Sequence, residues 1–564
     1  MYVESFSIIS ISRQLQNNPM PLTDTPSSRE RFARLFLCLI PVAFGASILW
    51  LGQDVSWDLR NYHFYNPFAF LTGRMGHDVA VSHVATYYNP LMYVPFYCAV
   101  KALPPKAVGF MLGFIPGLNA FIIYGITRQV VDLGRPGKTA WCCLGLTMVA
   151  MLGAINLAEI GTSFGDNVLS LPLLMAVWLI VRHRARLCAS VGSGWPVAAA
   201  AGVLAGSTLG LKLPFAVYCV GLCAAFFGLA APFGRRFVLA FIFGLGVLAG
   251  AALTGGFWLL EMWQRFQNPL FPYFNEFFKS PWGAIGSYRD ERFIPKNLAM
   301  WLLFPFWFNV DPTQVSEVGF RDLRFPLLYV LLLALLVLAI RRMLQRRSGA
   351  NAPAGDGDAR AMTRFFVIFM VVSFFLWMKM FAVYRYAVVC EFLVPLTIFM
   401  ALGTLLHSPR RRLQAALACM LLLLVTLDPG HWGRRPWTSD YFDVRLPALA
   451  GERDAIVLVT GHDPIAYMIP YFPPQVRFLR IQGYMTGPSP TLNETDRLMM
   501  RALVDHTGPV LILFRVYEEW HALNALEFYG LEIDRAGCQS FVPGIEPQQE
   551  HLFYLCRVTP KPSH

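Results

Sequence analysis

The chain has 564 residues, of which 55% are hydrophobic and only 15% charged, and its mean hydropathy is +0.47. Those values exclude an ordinary soluble enzyme and place the chain among polytopic membrane proteins. The net charge of +12 is divided into short basic runs between apolar segments. That distribution excludes a nucleic-acid-binding patch and reads as positive-inside anchoring.

Residues 1–32 are polar, lack a periodic apolar face and read as a flexible cytoplasmic tail. The first apolar run shows no small-residue cleavage site after it, so it reads as a retained helix rather than a signal peptide. With the basic runs 29–34, 128–138, 182–186, 235–236, 341–347 and 410–412 placed in the cytoplasm, about eleven crossings follow. They fall near 34–52, 107–127, 139–157, 166–182, 195–211, 213–230, 237–259, 325–341, 364–381, 387–406 and 412–428. The fold expected is a polytopic α-helical membrane domain over 33–428 with the N-terminus inside. Two apolar stretches, 89–103 and 297–308, are too short and too rich in Pro or Trp to cross, and read as interfacial or re-entrant helices. They lie in a first outer loop, 53–106, and a long outer loop, 260–324. A low-complexity cytoplasmic linker occupies 342–363.

From 429 to 564 Pro, His and charges become frequent. DAIVLVTG and GPVLILF read as strands and ETDRLMMRALVDH and EEWHALNALEFYG as helices, giving a small extracytoplasmic α/β domain. VTGHDP has no second glycine and no lysine, so it reads as a strand-to-helix turn rather than a phosphate loop. Cys538 and Cys556 flank a predicted β-hairpin. Outside the cytoplasm a disulfide between them is one reading, and two unpaired strand cysteines the other. The other nine cysteines lie in or beside apolar segments with no metal-site spacing.

This topology gathers polar residues at the outer face. The first loop supplies Asp54, Asp58, Arg60, Asn61, Tyr62, His63 and Asp78. The turn after the third crossing supplies Glu159, Asp166 and Asn167, and later outer turns supply Lys212, Arg385 and Tyr386. Ionisable groups at the edge of a bilayer pair, snorkel or do chemistry. A carboxylate there can act as general base toward a hydroxyl or amine, and a lysine or arginine can neutralise a lipid phosphate or a phosphate leaving group. No HExxH, CxxC pair or outer Asp-x-Asp is present, so no motif calls for a metal. Glu159, Asp166 and Asp58 are the set that could help hold a divalent cation.

Asp58-Leu59-Arg60-Asn61-Tyr62, followed by Gly73 and by Asn89-Pro90-Leu91, resembles the first outer loop of GT-C glycosyltransferases. These membrane enzymes use polyprenyl-phosphate sugars and include protein O-mannosyltransferases and the lipid A aminoarabinose transferase. The run 134–138, an apolar span and then GTSFGDN repeat the likeness, with Asp166 at the family's second aspartate. Leu59 and Asn89 depart from the pattern. The resemblance implies Asp58 as catalytic base and Asp166 as its catalytic assistant, with a lipid-linked sugar as donor. It assigns no phosphate-binding cation. Topology therefore makes Lys212, Arg385 and Arg60 the candidates, with Tyr62, His63, Glu159 and Tyr386 completing the substrate-binding set. FQNPLFPYFNEFF resembles bacterial members of this superfamily and implies a multi-pass protein of the bacterial inner membrane with a periplasmic tail. The acceptor, whether glycan, lipid or protein, stays open. A lipid-linked oligosaccharide polymerase or ligase is the first alternative. A transporter or flippase is the second, though it predicts internal repeats and midplane charges that are not visible.

Overall fold

The computed structural model describes residues 27–286, 288–347, 357–546 and 551–562. Nearly all of the predicted N-terminal tail and the middle of the predicted linker lie outside the described residues. A helix stands at each of the predicted crossings. Among the described residues, seven helices are long and apolar enough to cross a membrane: Ser28–Leu51, Pro105–Val130, Val191–Leu211, Phe233–Phe266, Arg324–Gln345, Gly357–Met380 and Tyr384–Leu405. The helices at the other positions, Pro136–Met151, Asp166–Arg182, Leu213–Gly228 and Pro409–Val425, are shorter. Both stretches read as too short to cross are short apolar helices, Leu91–Ala102 and Leu298–Val310.

Two crossings differ from expectation. The helix Phe233–Phe266 has 34 residues and so spans ~51 Å, well beyond a ~30 Å hydrocarbon core. Its last turns therefore belong to the loop predicted from 260. The third crossing ends early, at Met151, and a separate short helix, Ala154–Glu159, follows. Side chains from elsewhere stitch this break. Arg324 Nη2 donates to the carbonyls of Val149 (2.6 Å) and Leu152 (2.9 Å). Asp322, ion-paired with Arg324, accepts from the Ala154 amide at 3.0 Å. Glu391 accepts from the amides of Ile155 (2.8 Å) and Asn156 (2.9 Å). Backbone groups freed by a break in an apolar interior need such partners.

The helices Val191–Leu211 and Phe233–Phe266 touch along glycines. A Cβ on Gly202 or Gly206 would collide with the carbonyls of Phe243 or Val247, and one on Gly250 with that of Val203. Close backbone approach of this small-residue kind is a main source of helix association in lipid, and here it fixes the helix end that carries Lys212. Ion pairs Arg128–Glu30 and Arg184–Asp358 join helix ends at the bundle face opposite the one where Asp58, Asp166 and Arg385 meet.

The tail is not a separate lobe. Strand β1 (Gln53–Asp54) of the first loop pairs antiparallel with β2 (Arg434–Arg435). The tail's sheet runs β4-β3-β5-β7-β6, with β3 (Ile456–Val459), β4 (Arg477–Arg480), β5 (Val510–Arg515), β6 (Leu531–Phe541) and β7 (Phe553–Pro560). Strand β3 is parallel to β4 and β5, while β7 is antiparallel to both its neighbours. Val79 bridges to Leu479, and Val55, Leu59, Phe64 and Tyr65 share one apolar core with Val457, Tyr467, Leu513 and Phe553. Cys538 and Cys556, within β6 and β7 rather than flanking them, form a disulfide.

At the centre of this junction Glu546 accepts from Tyr467 Oη (2.7 Å) and contacts Arg60 at 2.5 Å, Arg515 at 2.8 Å and His551 at 3.2 Å. Burial pushes its carboxyl up, but Arg60, then His551, Arg515 and Tyr467, outweigh that and hold it well below the ordinary value. A depressed folded-state pKa gives stability that is complete above the unfolded carboxyl range near ~4.3 and is lost as pH falls through the folded value. Glu546→Ala, which leaves the buried guanidinium of Arg60 without its carboxylate and takes one of two carboxylates from that of Arg515, is expected to cost about 3–5 kcal/mol. Thermal unfolding in detergent checks this, and the gap between wild type and variant should narrow only below about pH 4. Gly206→Val is expected to cost about 1–3 kcal/mol by wedging the two helices apart, read in the same assay.

Candidate functional site

Asp58 opens a single π-type turn, Leu59–His63, at the foot of the first loop. Its side chain is 13% exposed, and its Oδ2 lies 2.6 Å from Nη1 of Arg385. Arg385 comes from the turn Tyr384–Ala387 at the head of the helix Val388–Leu405. Its guanidinium sits 4.5 Å from the ring centre of Phe164, 5.2 Å from that of Tyr386 and 6.0 Å from that of Trp432. Stacking on aromatic faces suits arginine's planar charge better than lysine's point charge.

A second pair lies beside the first. Asp166 begins the helix Asp166–Arg182 after Gly165, whose φ of +74° is left-handed backbone that favours glycine. A carboxylate at that end also meets the positive end of the helix dipole. Lys212, at the C-terminal end of Val191–Leu211, approaches Asp166 Oδ1 to 2.7 Å, donates to the Phe164 carbonyl at 3.2 Å and lies 5.3 Å from the Tyr386 ring centre. Phe164 and Tyr386 thus touch both pairs, which makes them one site.

Glu159 completes the acidic set. It is buried, and neither carboxyl oxygen has a hydrogen-bond partner. Burial, reinforced by the Asp166 charge, pushes its carboxyl well above the ordinary value against the pull of Lys212 and Arg385, so it keeps its proton more tightly than an exposed glutamate. Asp58 moves the other way. Burial raises it, but the charge of Arg385, helped by His63 and Lys212, carries it below its usual value. Two carboxyls in one site are therefore driven apart. A cavity of about 20 Å³, room for about one water, lies between Glu159, Arg385 and Trp432.

Burial holds the imidazole of His63 well below its usual pKa, with Lys212 and Arg385 adding to the shift against Asp58. Its Nδ1 is 2.7 Å from Ser163 Oγ, its Nε2 has no partner, and its ring stacks on Tyr93 at 4.2 Å. Tyr62 packs edge-on against Tyr88 (5.3 Å) and Tyr93 (5.6 Å).

Of the residues expected here, Arg60 is placed elsewhere. A π-turn directs it away from Asp58 and into the Glu546 network, where it is spent on joining loop to tail. The choice among three first-loop aspartates is also narrowed. Asp54 caps its own turn at Ser56 and accepts from the Ser163 amide at 3.1 Å. Asp78 is held by Arg74 (2.8 Å), Tyr65 and the Phe478 amide. Only Asp58 of the three faces the second carboxylate and its cation. A divalent cation among Asp58, Glu159 and Asp166 fits less well. Two of these acids already have cationic partners, and among the described residues the three do not converge as metal ligands do.

Phe164, Trp432, Tyr88 and Tyr93 were not anticipated. Phe164 stands in GTSFGDN, where the sequence draws attention to Asp166 and Asn167 rather than to the ring, and Trp432 follows the last predicted crossing, in the predicted tail. A large apolar groove of about 870 Å³ runs between the helices Arg324–Arg347 and Gly357–Met380. Its lining includes Phe325, whose ring centre is 6.1 Å from that of Tyr384, the neighbour of Arg385.

No protein-family model and no curated protein matches the chain. Among solved structures, the chain is similar to the apo-form crystal structure of the oligosaccharyltransferase of Archaeoglobus fulgidus, with 13% identity over 87% of this chain and 70% of that one and a TM-score of 0.41.

The opposed carboxyls are open to direct test by infrared difference spectroscopy of the protonated carboxyl band. On raising the pH, the Glu159 band, identified by its loss in Glu159→Gln, is expected to persist to higher pH than the Asp58 band, identified by its loss in Asp58→Asn. Arg385→Gln removes the largest influence holding Asp58 down, so the pH at which the Asp58 band disappears should rise.

Proposed function

We propose that this chain is an integral membrane glycosyltransferase that moves a sugar from a polyprenyl-phosphate donor to an acceptor at the outer side of a bacterial inner membrane. The observation that carries this reading is the joining of Asp58–Arg385 and Asp166–Lys212 into one buried site at the end of a helical bundle. Two carboxylates and two cations match the two charge changes of such a transfer: an acceptor loses a proton and a phosphate leaves with an electron pair. The first-loop motif that resembles GT-C enzymes supports the same reading. The Cys538–Cys556 disulfide supports an extracytoplasmic tail, since disulfides persist in oxidising compartments.

On this reading Asp58 is the general base. In the resting site its basicity is suppressed by Arg385. An arriving donor phosphate competes for that guanidinium, so donor binding releases the carboxylate that must take the acceptor's proton. The acceptor oxygen or nitrogen then attacks the anomeric carbon, the bond from that carbon to the phosphate oxygen breaks, and the configuration inverts in a single displacement. Arg385 and Lys212 take up the charge growing on the phosphate. Glu159, which keeps its proton more tightly than an exposed glutamate, offers a hydrogen bond to the same oxygens when protonated, and Asp166 holds Lys212 in place and orients the acceptor. Tyr62, His63 and Tyr386 are assigned to contact the sugar. The apolar groove that ends beside Tyr384 is suited to the donor's prenyl chain.

Asp58→Asn keeps the shape of the side chain and removes its basicity. Transfer of radiolabelled sugar from polyprenyl-phosphate donors in membranes is expected to fall by about 10²–10⁴-fold, with expression and thermal stability close to wild type. Wild-type turnover in this variant would overturn the assignment of the base.

A further inference from the structure

A second cluster lies in the tail, apart from the paired carboxylates. His462 follows β3, and Glu518 and His521 follow β5, bracketing the start of the helix Glu519–Phe528. One ligand atom from each residue lies within 4.8 Å of the others. The two strands are parallel neighbours, and the chain leaves β3 for β4 on one side before crossing to β5 on the other. That is a topological switch point, and in sheets of this kind ligands bind outside the carboxyl ends of the strands at such points.

We propose that His462, Glu518 and His521 form a binding site for a divalent transition-metal ion, with zinc the best fit. Two imidazoles and one carboxylate are the donor set of open zinc sites, whereas magnesium and calcium select all-oxygen shells. Glu518 and His521 are one helical turn apart and share a face.

The local structure prepares the ligands. Glu518 is only 7% exposed, and while its Oε1 accepts from the His462 amide at 2.7 Å, its Oε2 has no hydrogen-bond partner. A buried carboxylate oxygen left unpaired is costly and marks a missing partner. His521 is packed against Trp520 at 3.8 Å, and His462 lies 4.5 Å from Tyr484 and 4.9 Å from His521 between ring centres. The positive Arg480 nearby is spent on backbone carbonyls of Gly461 (2.6 Å), Asp463 (3.3 Å) and Val81 (3.0 Å). Small rotations bring the donor atoms to the ~3.3 Å spacing that a tetrahedral ion imposes. Three protein ligands leave one position open, and the half-exposed histidines put it within reach of solvent.

The ion would also brace the first loop. His462 packs on Tyr484, Tyr484 on His83 (4.9 Å) and His83 on Trp57 (6.0 Å), which precedes Asp58. The His462 carbonyl is 3.2 Å from Nε2 of His83.

The test uses the full chain, purified in detergent without a polyhistidine tag, stripped with chelator and returned to zinc chloride. After gel filtration, elemental analysis is expected to find one zinc per wild-type chain. The His462→Ala/His521→Ala double variant should retain at least about ten-fold less, with Glu518→Gln intermediate. Cobalt chloride supplied instead of zinc should give the wild type visible d–d absorption of a low-symmetry site, a readout that does not depend on any variant folding. A wild type that holds no more zinc than the double variant, or shows no cobalt absorption, overturns the site. Either result leaves the glycosyltransferase reading untouched, because none of these residues belongs to the paired-carboxylate site.

Discussion

The helix break at Leu152–Gly153 is the feature on which the paired-charge site depends. A continuous third crossing would carry Ala154–Glu159 onward along the helix axis and bury its amides in a regular ladder. Instead Arg324, Asp322 and Glu391 satisfy both sides of the interruption, and the chain can turn so that Glu159 faces Arg385. The cost of three ionisable side chains in an apolar interior is offset by hydrogen bonds that the freed backbone needs in any case. Glu391, deep in the bundle, therefore has a structural task.

Buried charge also explains the shape of the site. Asp58 and Asp166 are each answered by a cation, Glu159 is answered by none, and the aromatic faces of Phe164, Tyr386 and Trp432 hold the cations without quenching them. Cations held this way can exchange one anion for another. A carboxylate and a phosphate compete on similar terms for a guanidinium, so the resting ion pair works as a placeholder for the ligand.

Local signals in the sequence carried far for the membrane helices and poorly for long-range partnerships. The start of the helix Asp166–Arg182 was readable because Gly-Asp-Asn interrupts a strongly apolar run, and the tail's strands were readable from β-branched runs between turn residues. The broken third crossing was not, because its stitching comes from residues 168 and 236 positions away. Arg60 looked like a phosphate ligand until its partner, 486 residues downstream, came into view. VTGHDP reads locally as a turn after a strand, and the side chain that meets its histidine's amide, Glu518, lies 56 residues later. Among Asp54, Asp58 and Asp78 the spacing alone could not choose, since each choice rests on what the carboxylate touches.

The clasp between first loop and tail bears on how the molecule comes into being. Asp78 binds the amide of Phe478 across 400 residues, and β1 waits for β2 at the far end of the membrane domain. During synthesis the first loop emerges early with its apolar side uncovered, and contacts this distant in sequence form late and at an entropic cost. The loop bearing Asp58 therefore acquires its final backing only after every span has been inserted and most of the sheet has been made. A nascent chain or one truncated before Glu546 would carry all the acids and bases of the site on an unfinished scaffold, so completion of the tail acts as a built-in check on assembly.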